Sequence, residues 1–246
     1  MEELNKSECQ ICQGTGWKEV DVKGIAQVKR CECFKTKSRN KLIEQGKIPG
    51  RYRFCTFESY ENHDPSQRVA KRIAEQFVKN YPDVDDAGLF FIGDCGVGKT
   101  HLSVAILQAL IKTKGVPCIF FDFWDLLKSI QMSFSPDSEV SESEILSPVL
   151  NKEVVLLDDL GAHKVTDWRR DILTYIINKR YNEKRVTIIT TNYLIEKPSK
   201  SNEDTLEDRI GYRLVSRLYE MCRIVEMRGK DFRIRVKQDI YKKKLR

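Results

Sequence analysis

The chain has 246 residues, 41% of them hydrophobic, enough for one α/β domain with a small appendage and too few for two full-sized domains. No apolar run approaches the roughly 18 to 20 residues that span a bilayer, and the opening MEELNKSE is acidic and polar; both argue against a membrane or secreted protein and predict a cytoplasmic one. The net charge of +7 admits a polyanionic partner and sits in two segments: Lys18 to Arg53 holds eleven Lys/Arg against four Asp/Glu, and Arg223 to Arg246 ten against three.

Residues 1 to about 35 contain two cysteine pairs and few core-forming residues, so something other than an apolar core must hold them together. Lys35 to Lys47 is basic without a strong apolar face and reads as a helix or linker. Pro49 and Gly50 then break the chain before the aromatics of RYRFCTFESY. SQRVAKRIAEQFVKNY sets Val69, Ile73, Phe77 and Val78 at helical spacing, with Pro82 just beyond. AGLFFIGD reads as a strand, and KTHLSVAILQALIKTKG as a helix with Leu102, Ile106, Ala109 and Leu110 on one side and Gly115 as its stop. VPCIFFDF is the next strand and WDLLKSIQMSF the next helix, whereas SPDSEVSESEILSP reads as a mobile loop or a weakly held helix. EVVLLDDL and RVTIITTNY are further buried strands on either side of the helix DWRRDILTYIINKRYNE. Apolar strands alternating with helices predict an α/β fold, a parallel sheet covered on both faces.

GDCGVGKT fits the phosphate-loop pattern G-x-x-x-x-G-K-[ST] at Gly93, Asp94, Cys95, Gly96, Val97, Gly98, Lys99 and Thr100, with His101 next in the chain. Glycines let backbone N–H groups turn inward around phosphate, Lys99 reaches the β- and γ-phosphates of ATP, and the Thr100 hydroxyl ligates Mg²⁺. The motif follows a strand and opens a helix, whose positive end favours anions. His101 has no second histidine at metal spacing, so a packing or capping role is expected for it.

VVLLDDL ends a strand at the same sheet edge. Asp158 would hold Mg²⁺, directly or through water, and Asp159 would orient or deprotonate the attacking water. TIITTNY ends likewise, placing Asn192 to bond a γ-phosphate or that water, with Thr190 and Thr191 of less certain use. Plain readings remain beside these, namely solvated carboxylates and a turn asparagine.

Cys9, Cys12, Cys31 and Cys33 form C-x₂-C-x₁₈-C-x-C. Four thiolates can close a structural Zn²⁺ site, which frees a small module from needing a core; unliganded thiols or a disulfide are the alternatives. Gly14 and Gly16 allow backbone N–H groups to face the sulfurs, and Trp17 is a contact or packing residue. Cys55, Cys95, Cys118 and Cys222 are scattered and read as small hydrophobes.

A P-loop, a strand ending in Asp-Asp, a strand ending in Asn and the segment RIGYRLVSRLYEMCRIVEMRGKDFR together resemble the AAA+ ATPases of the DnaC/DnaI helicase-loader group, which is similar to the IstB transposition ATPases and to DnaA. The resemblance runs from about Ile48 to Arg235 and implies a P-loop AAA+ core. It implies Walker A at Gly93 to Thr100, Walker B at Asp158 and Asp159, sensor 1 at Asn192 and an arginine finger at Arg217, with Arg213 competing. Such a finger serves a neighbouring subunit, so ATP hydrolysis would depend on a homo-oligomer assembled on DNA. Only about thirty residues follow Arg217, too few for the usual helical lid; Arg233 is the nearest match to a sensor-2 arginine, and RYRFCTFESY the guess for the adenine lining. The resemblance further implies a zinc-bearing module and basic linker over 1–47 that grips the replicative DNA helicase, an ATPase domain over 48–246, and single-stranded DNA as a second partner. An IstB-like transposition helper is the alternative, and a small-metabolite kinase would share the P-loop without needing Asn192 or Arg217.

Overall fold

Three strands, β3 (Gly88–Gly93), β5 (Val154–Asp158) and β6 (Val186–Thr191), are buried at every residue. Together with β4 (Cys118–Asp122) and β7 (Arg223–Met227) they form one parallel sheet of order β4-β5-β6-β3-β7. The structure is a computed structural model that describes residues 9–84, 88–163, 166–195 and 204–244. Residues 1–8, read above as acidic and polar, and the last two residues, of which Arg246 is counted in the second charge segment, lie outside those.

Strand alternation divides the core in two. Leu89 and Phe91 face a cluster with Ile106 and Phe77, while Phe90 and Ile92 face Leu126, Val149, Ile176 and Leu218. On the first face lie α2 (Pro65–Asn80) and α3 (Lys99–Ala109). Asp64 caps α2, accepting the Ser66 N–H at 2.8 Å, and Pro65 occupies its first turn. The inner face of α2 runs Ala70, Ala74, Phe77 and Val78, so Val69, one residue off that stripe, is exposed, contrary to the spacing argument. α3 is buried nearly all round rather than on one side, because the sheet covers it on one flank and α2 on the other. It ends in a π-helical turn over Leu110–Lys114 and a left-handed Gly115 at φ 68°.

On the second face lie α4 (Phe123–Met132), α5 (Glu142–Asn151), α6 (Asp167–Asn182) and α8 (Tyr212–Met221), the last preceded by the short α7 (Leu206–Ile210). The segment expected to be a loop or a weak helix, which ends at Pro148, holds the start and most of α5, a helix that buries Leu146, Val149 and Leu150. Its start is fixed by a reciprocal capping box between Ser141 and Glu144.

Ahead of the sheet, β1 (Trp17–Val22) and β2 (Ile25–Arg30) form an antiparallel hairpin, followed by α1 (Glu32–Gln45). The stretch read as a helix or linker is therefore helical. Leu42 and Ile43 pack against the first core cluster, and Phe120 N–H donates to Gly46 O at 2.8 Å. Contacts with the large domain thus begin before Ile48. No helix among the described residues is long and apolar enough to cross a membrane.

Candidate functional site

The carboxyl ends of β3, β5 and β6 bring the sequence-predicted groups to one edge. Gly96 and Gly98 take φ 77° and 97°, values that suit glycine, and both are also tightly surrounded. A Cβ at Gly98 would lie 2.5 Å from Tyr60 Cε2, and the Tyr60 hydroxyl donates to Val97 O at 3.0 Å. Lys99 is buried; its ammonium donates to Gly93 O (2.8 Å), Asp94 O (2.7 Å) and Asn192 Oδ1 (2.6 Å). Burial lowers its pKa, opposed by Cys95, Asp159, Asp158 and Asp94. His101 bonds Thr56 O at 2.9 Å through Nε2, holding the segment before α2 against α3, in keeping with a packing role.

Thr100 Oγ1 donates to Asp158 Oδ1 at 2.9 Å, so the two proposed Mg²⁺ ligands already share one point in space. Asp158 is buried, and its carboxyl is pushed up to about 6, first by burial and then by Asp159, against hydroxyls from Thr190 and Thr100. The Asp158 carboxylate and the Thr100 hydroxyl beside it are oxygen donors of the kind that would hold a divalent cation. Asp159 follows at φ 56°, a left-handed conformation uncommon for a residue with a Cβ. Asn192 Nδ2 donates to its Oδ1 at 3.1 Å. Asn192 therefore links Lys99 to Asp159.

Beside the loop opens a cavity of about 390 Å³, of nucleotide-binding size, lined by Cys95 to His101, Asp159 and Asn192. Gly93 and Asp94 contribute carbonyls to Lys99 rather than lining it. Tyr52, Cys55 and Tyr60 come from the aromatic segment guessed for the adenine, and His63, Phe232 and Arg233 are also part of the wall. The His63 and Phe232 rings are parallel within 10° at 6.1 Å. Phe232 N–H donates to Gly96 O at 3.1 Å, and a Cβ on Gly96 would meet the Asp231 carboxyl at 2.1 Å, so the C-terminal segment is seated on the P-loop. Asp231 in turn holds Arg233, raising its pKa. His63 and Phe232 escaped sequence reasoning because they are 169 positions apart. Cys95, expected to behave as a small hydrophobe, is exposed. Arg217, half-buried, and Arg213, exposed, lie on α8 and do not line their own chain's cavity.

Cys9, Cys12, Cys31 and Cys33 place their sulfurs within 4.8 Å of one another. The Cys9–Cys31 and Cys12–Cys33 pairs stand at 3.7 and 3.3 Å, and all four are free thiols. A tetrahedral zinc–thiolate site puts its sulfurs about 3.8 Å apart, so the donor set and spacing fit Zn²⁺. Gly16 N–H faces Cys12 Sγ at 3.4 Å. Trp17 packs on Arg30, whose guanidinium lies 3.8 Å from its ring and 4.2 Å from that of Phe34.

The IstB-like ATP binding protein family matches residues 30–240. The chain belongs to that family. Its ATP-binding P-loop core accounts for the cavity just described, and the match leaves Cys9 and Cys12 outside. The chain is 25% identical to phage-like element PBSX protein XkdC of Bacillus subtilis (strain 168), over 89% of this chain and 81% of that one. It is 28% identical to the replicative helicase loader DnaC of Escherichia coli (strain K12), over 63% of this chain and 62% of the loader's length. A crystal structure of the DnaC helicase loader shares 36% identity at a TM-score of 0.64, covering 73% of this chain and all of that one. These relatives make it a DnaC-type AAA+ chain.

Proposed function

We infer that this IstB-family chain is an ATP-dependent loader that binds the replicative DNA helicase and places it on single-stranded DNA. The observation that carries the reading is the meeting of Lys99, Thr100, Asp158, Asp159 and Asn192 at one sheet edge, in a chain whose relatives include DnaC loaders. Thr100 and Asp158 would hold Mg²⁺, which when bound neutralises phosphate charge. Lys99 binds the β- and γ-phosphates, trading its carbonyl partners for phosphate oxygens. Asp159 and Asn192, already bonded to each other, orient the attacking water, and Asp159 can take its proton. Arg217, with Arg213 as the competing donor, would act on a neighbouring subunit's ATP, so hydrolysis rises when chains adjoin on DNA. Tyr52, Tyr60, His63 and Phe232 support a role as the walls of the base pocket.

Residues 1–47 are taken as the helicase-gripping module, folded around Zn²⁺ and braced on the ATPase domain of 48–246 through Leu42 and Ile43. The test is retention of the host replicative helicase on zinc-loaded protein with and without ATP. Retention that is lost in Cys9→Ser/Cys12→Ser supports the reading. No retention in either nucleotide state, with the double variant indistinguishable, sinks it. The IstB family match also favours a second reading, a transposition helper, which would retain a transposase instead.

A further inference from the structure

β6 is an interior strand, buried on both faces, yet it carries Thr187, Thr190 and Thr191, each with 0% exposure. Valine would fill the same space in such a strand without a hydroxyl that must find a partner. Each hydroxyl has one. Thr187 Oγ1 accepts from buried Arg180, and Thr191 Oγ1 donates to Leu160 O at 2.7 Å. The Thr190 hydroxyl is used twice, donating to Asp158 Oδ1 at 2.6 Å and accepting the backbone N–H of Asp159 at 2.9 Å. The next peptide is tied to the same residue, with Leu160 N–H donating to Thr190 O at 2.8 Å.

We propose that Thr190 is the positioning residue of the metal and water site, setting the Asp158 carboxylate and the left-handed Asp159 through one hydroxyl. This rests on the assignment of Asp158 to Mg²⁺ above. Thr100 also bonds Asp158 Oδ1, so with Thr190 on the same oxygen the carboxylate is fixed in rotation from two sides. Its second oxygen, Oδ2, lies 3.2 Å from the Thr100 hydroxyl, on the side where the shared ligands converge. Asp159 has φ 56°, and its N–H, donated to the Thr190 hydroxyl, is the side-chain bond that ties this residue's own peptide to β6, so its carboxylate stays within reach of Asn192. Thr190 is wholly buried and does not line the cavity. Its effect passes through the two aspartates.

Thr190→Val keeps the volume and β-branching and removes only the hydroxyl; Thr190→Ser restores it. Binding of a fluorescent ATP analogue is measured in EDTA and across a Mg²⁺ titration, alongside steady-state hydrolysis with single-stranded DNA. In Thr190→Val, metal-free affinity should stay within about twofold of wild type while the Mg²⁺ needed for half-maximal tightening rises about 10-fold or more, the size of effect seen when groups orienting metal ligands are lost. The turnover number should fall by about 10- to 100-fold, and Thr190→Ser should recover both to within about threefold. A Mg²⁺ requirement unchanged in Thr190→Val, or a Thr190→Ser variant no better than Thr190→Val, overturns the inference. If Thr190→Val does not fold, Thr190→Ala carries the same comparison. Should wild type hydrolyse no ATP, the functional reading fails, and the Mg²⁺-linked binding still decides the role of Thr190.

Discussion

Arg180 is wholly buried, and no carboxylate among the described residues forms an ion pair with it. Its guanidinium donates to Val149 O and Lys152 O at 3.0 Å each, to Val186 O at 2.5 Å and to Thr187 Oγ1 at 2.9 Å. Burial pulls its pKa down to about 9, which leaves it charged at neutral pH. The charge is met by carbonyls at the C-terminal end of α5, where the helix dipole favours a cation. Replacing it by methionine of similar length leaves the Val149, Lys152 and Val186 carbonyls without this donor, at about 1–3 kcal/mol each. The desolvation cost of a buried charge, several kcal/mol, is removed at the same time. The balance is a loss of about 3 kcal/mol, and at roughly 2–4 °C per kcal/mol for a chain of this size Tm should fall by about 6–12 °C. Differential scanning calorimetry of wild type, Arg180→Met and Arg180→Lys measures it. Lysine keeps the charge but lacks the planar fork, so it should fall between the other two. Nucleotide affinity should be unchanged below the transition, because Arg180 meets β6 at its first residues, opposite the P-loop edge. A Met variant melting within about 2 °C of wild type would refute the reasoning, since 1 kcal/mol already shifts Tm by that much.

Chelation of Zn²⁺, or Cys12→Ser, should open the hairpin module to protease while the ATPase domain keeps its melting temperature, because the sulfurs of Cys9, Cys12, Cys31 and Cys33 cluster around one point and Leu42 and Ile43 dock independently of them. Limited proteolysis with mass spectrometry checks this; simultaneous loss of the large domain contradicts it. Burial chiefly lowers the pKa of His101, so the unfolded chain binds more protons there than the native one, and stability is lost as pH falls below the ordinary value of 6.5. His101→Gln should therefore lose less Tm than wild type between about pH 7.5 and 5.5. Equal losses would remove His101 as the cause.

The sheet was legible because its interior strands are covered on both faces, so β3 and β5 are nearly continuous apolar runs and β6 a β-branched one, each ending in polar groups at one edge. The edge strand β7 was not legible, since exposed Arg223 and Glu226 interrupt its pattern. Composition leaves α5 open between a loop and a weakly held helix, although Ser141-x-x-Glu144 carries the capping signal that decides it. At the site, the P-loop, Asp158, Asp159 and Asn192 announce themselves because spacing along a strand fixes where they emerge. Thr190 does not, for its hydroxyl matters only through Asp158 and Asp159 on the next strand. The cavity wall was half legible, since Tyr52 and Tyr60 lie in the segment expected to line it, while the opposite side was hidden. His63 and Phe232 are joined by folding alone, when β7 lays the C-terminal segment over Gly96.

The proposed function is nucleotide-driven transfer of a helicase to single-stranded DNA. Its most direct test is transfer of the host replicative helicase onto closed circular single-stranded DNA, followed by helicase-bound DNA after gel filtration, with wild type and Lys99→Ala. Helicase should reach the circle with the wild-type chain and ATP, and remain at background with Lys99→Ala or without nucleotide. Equal loading by Lys99→Ala, or by helicase alone, would contradict it.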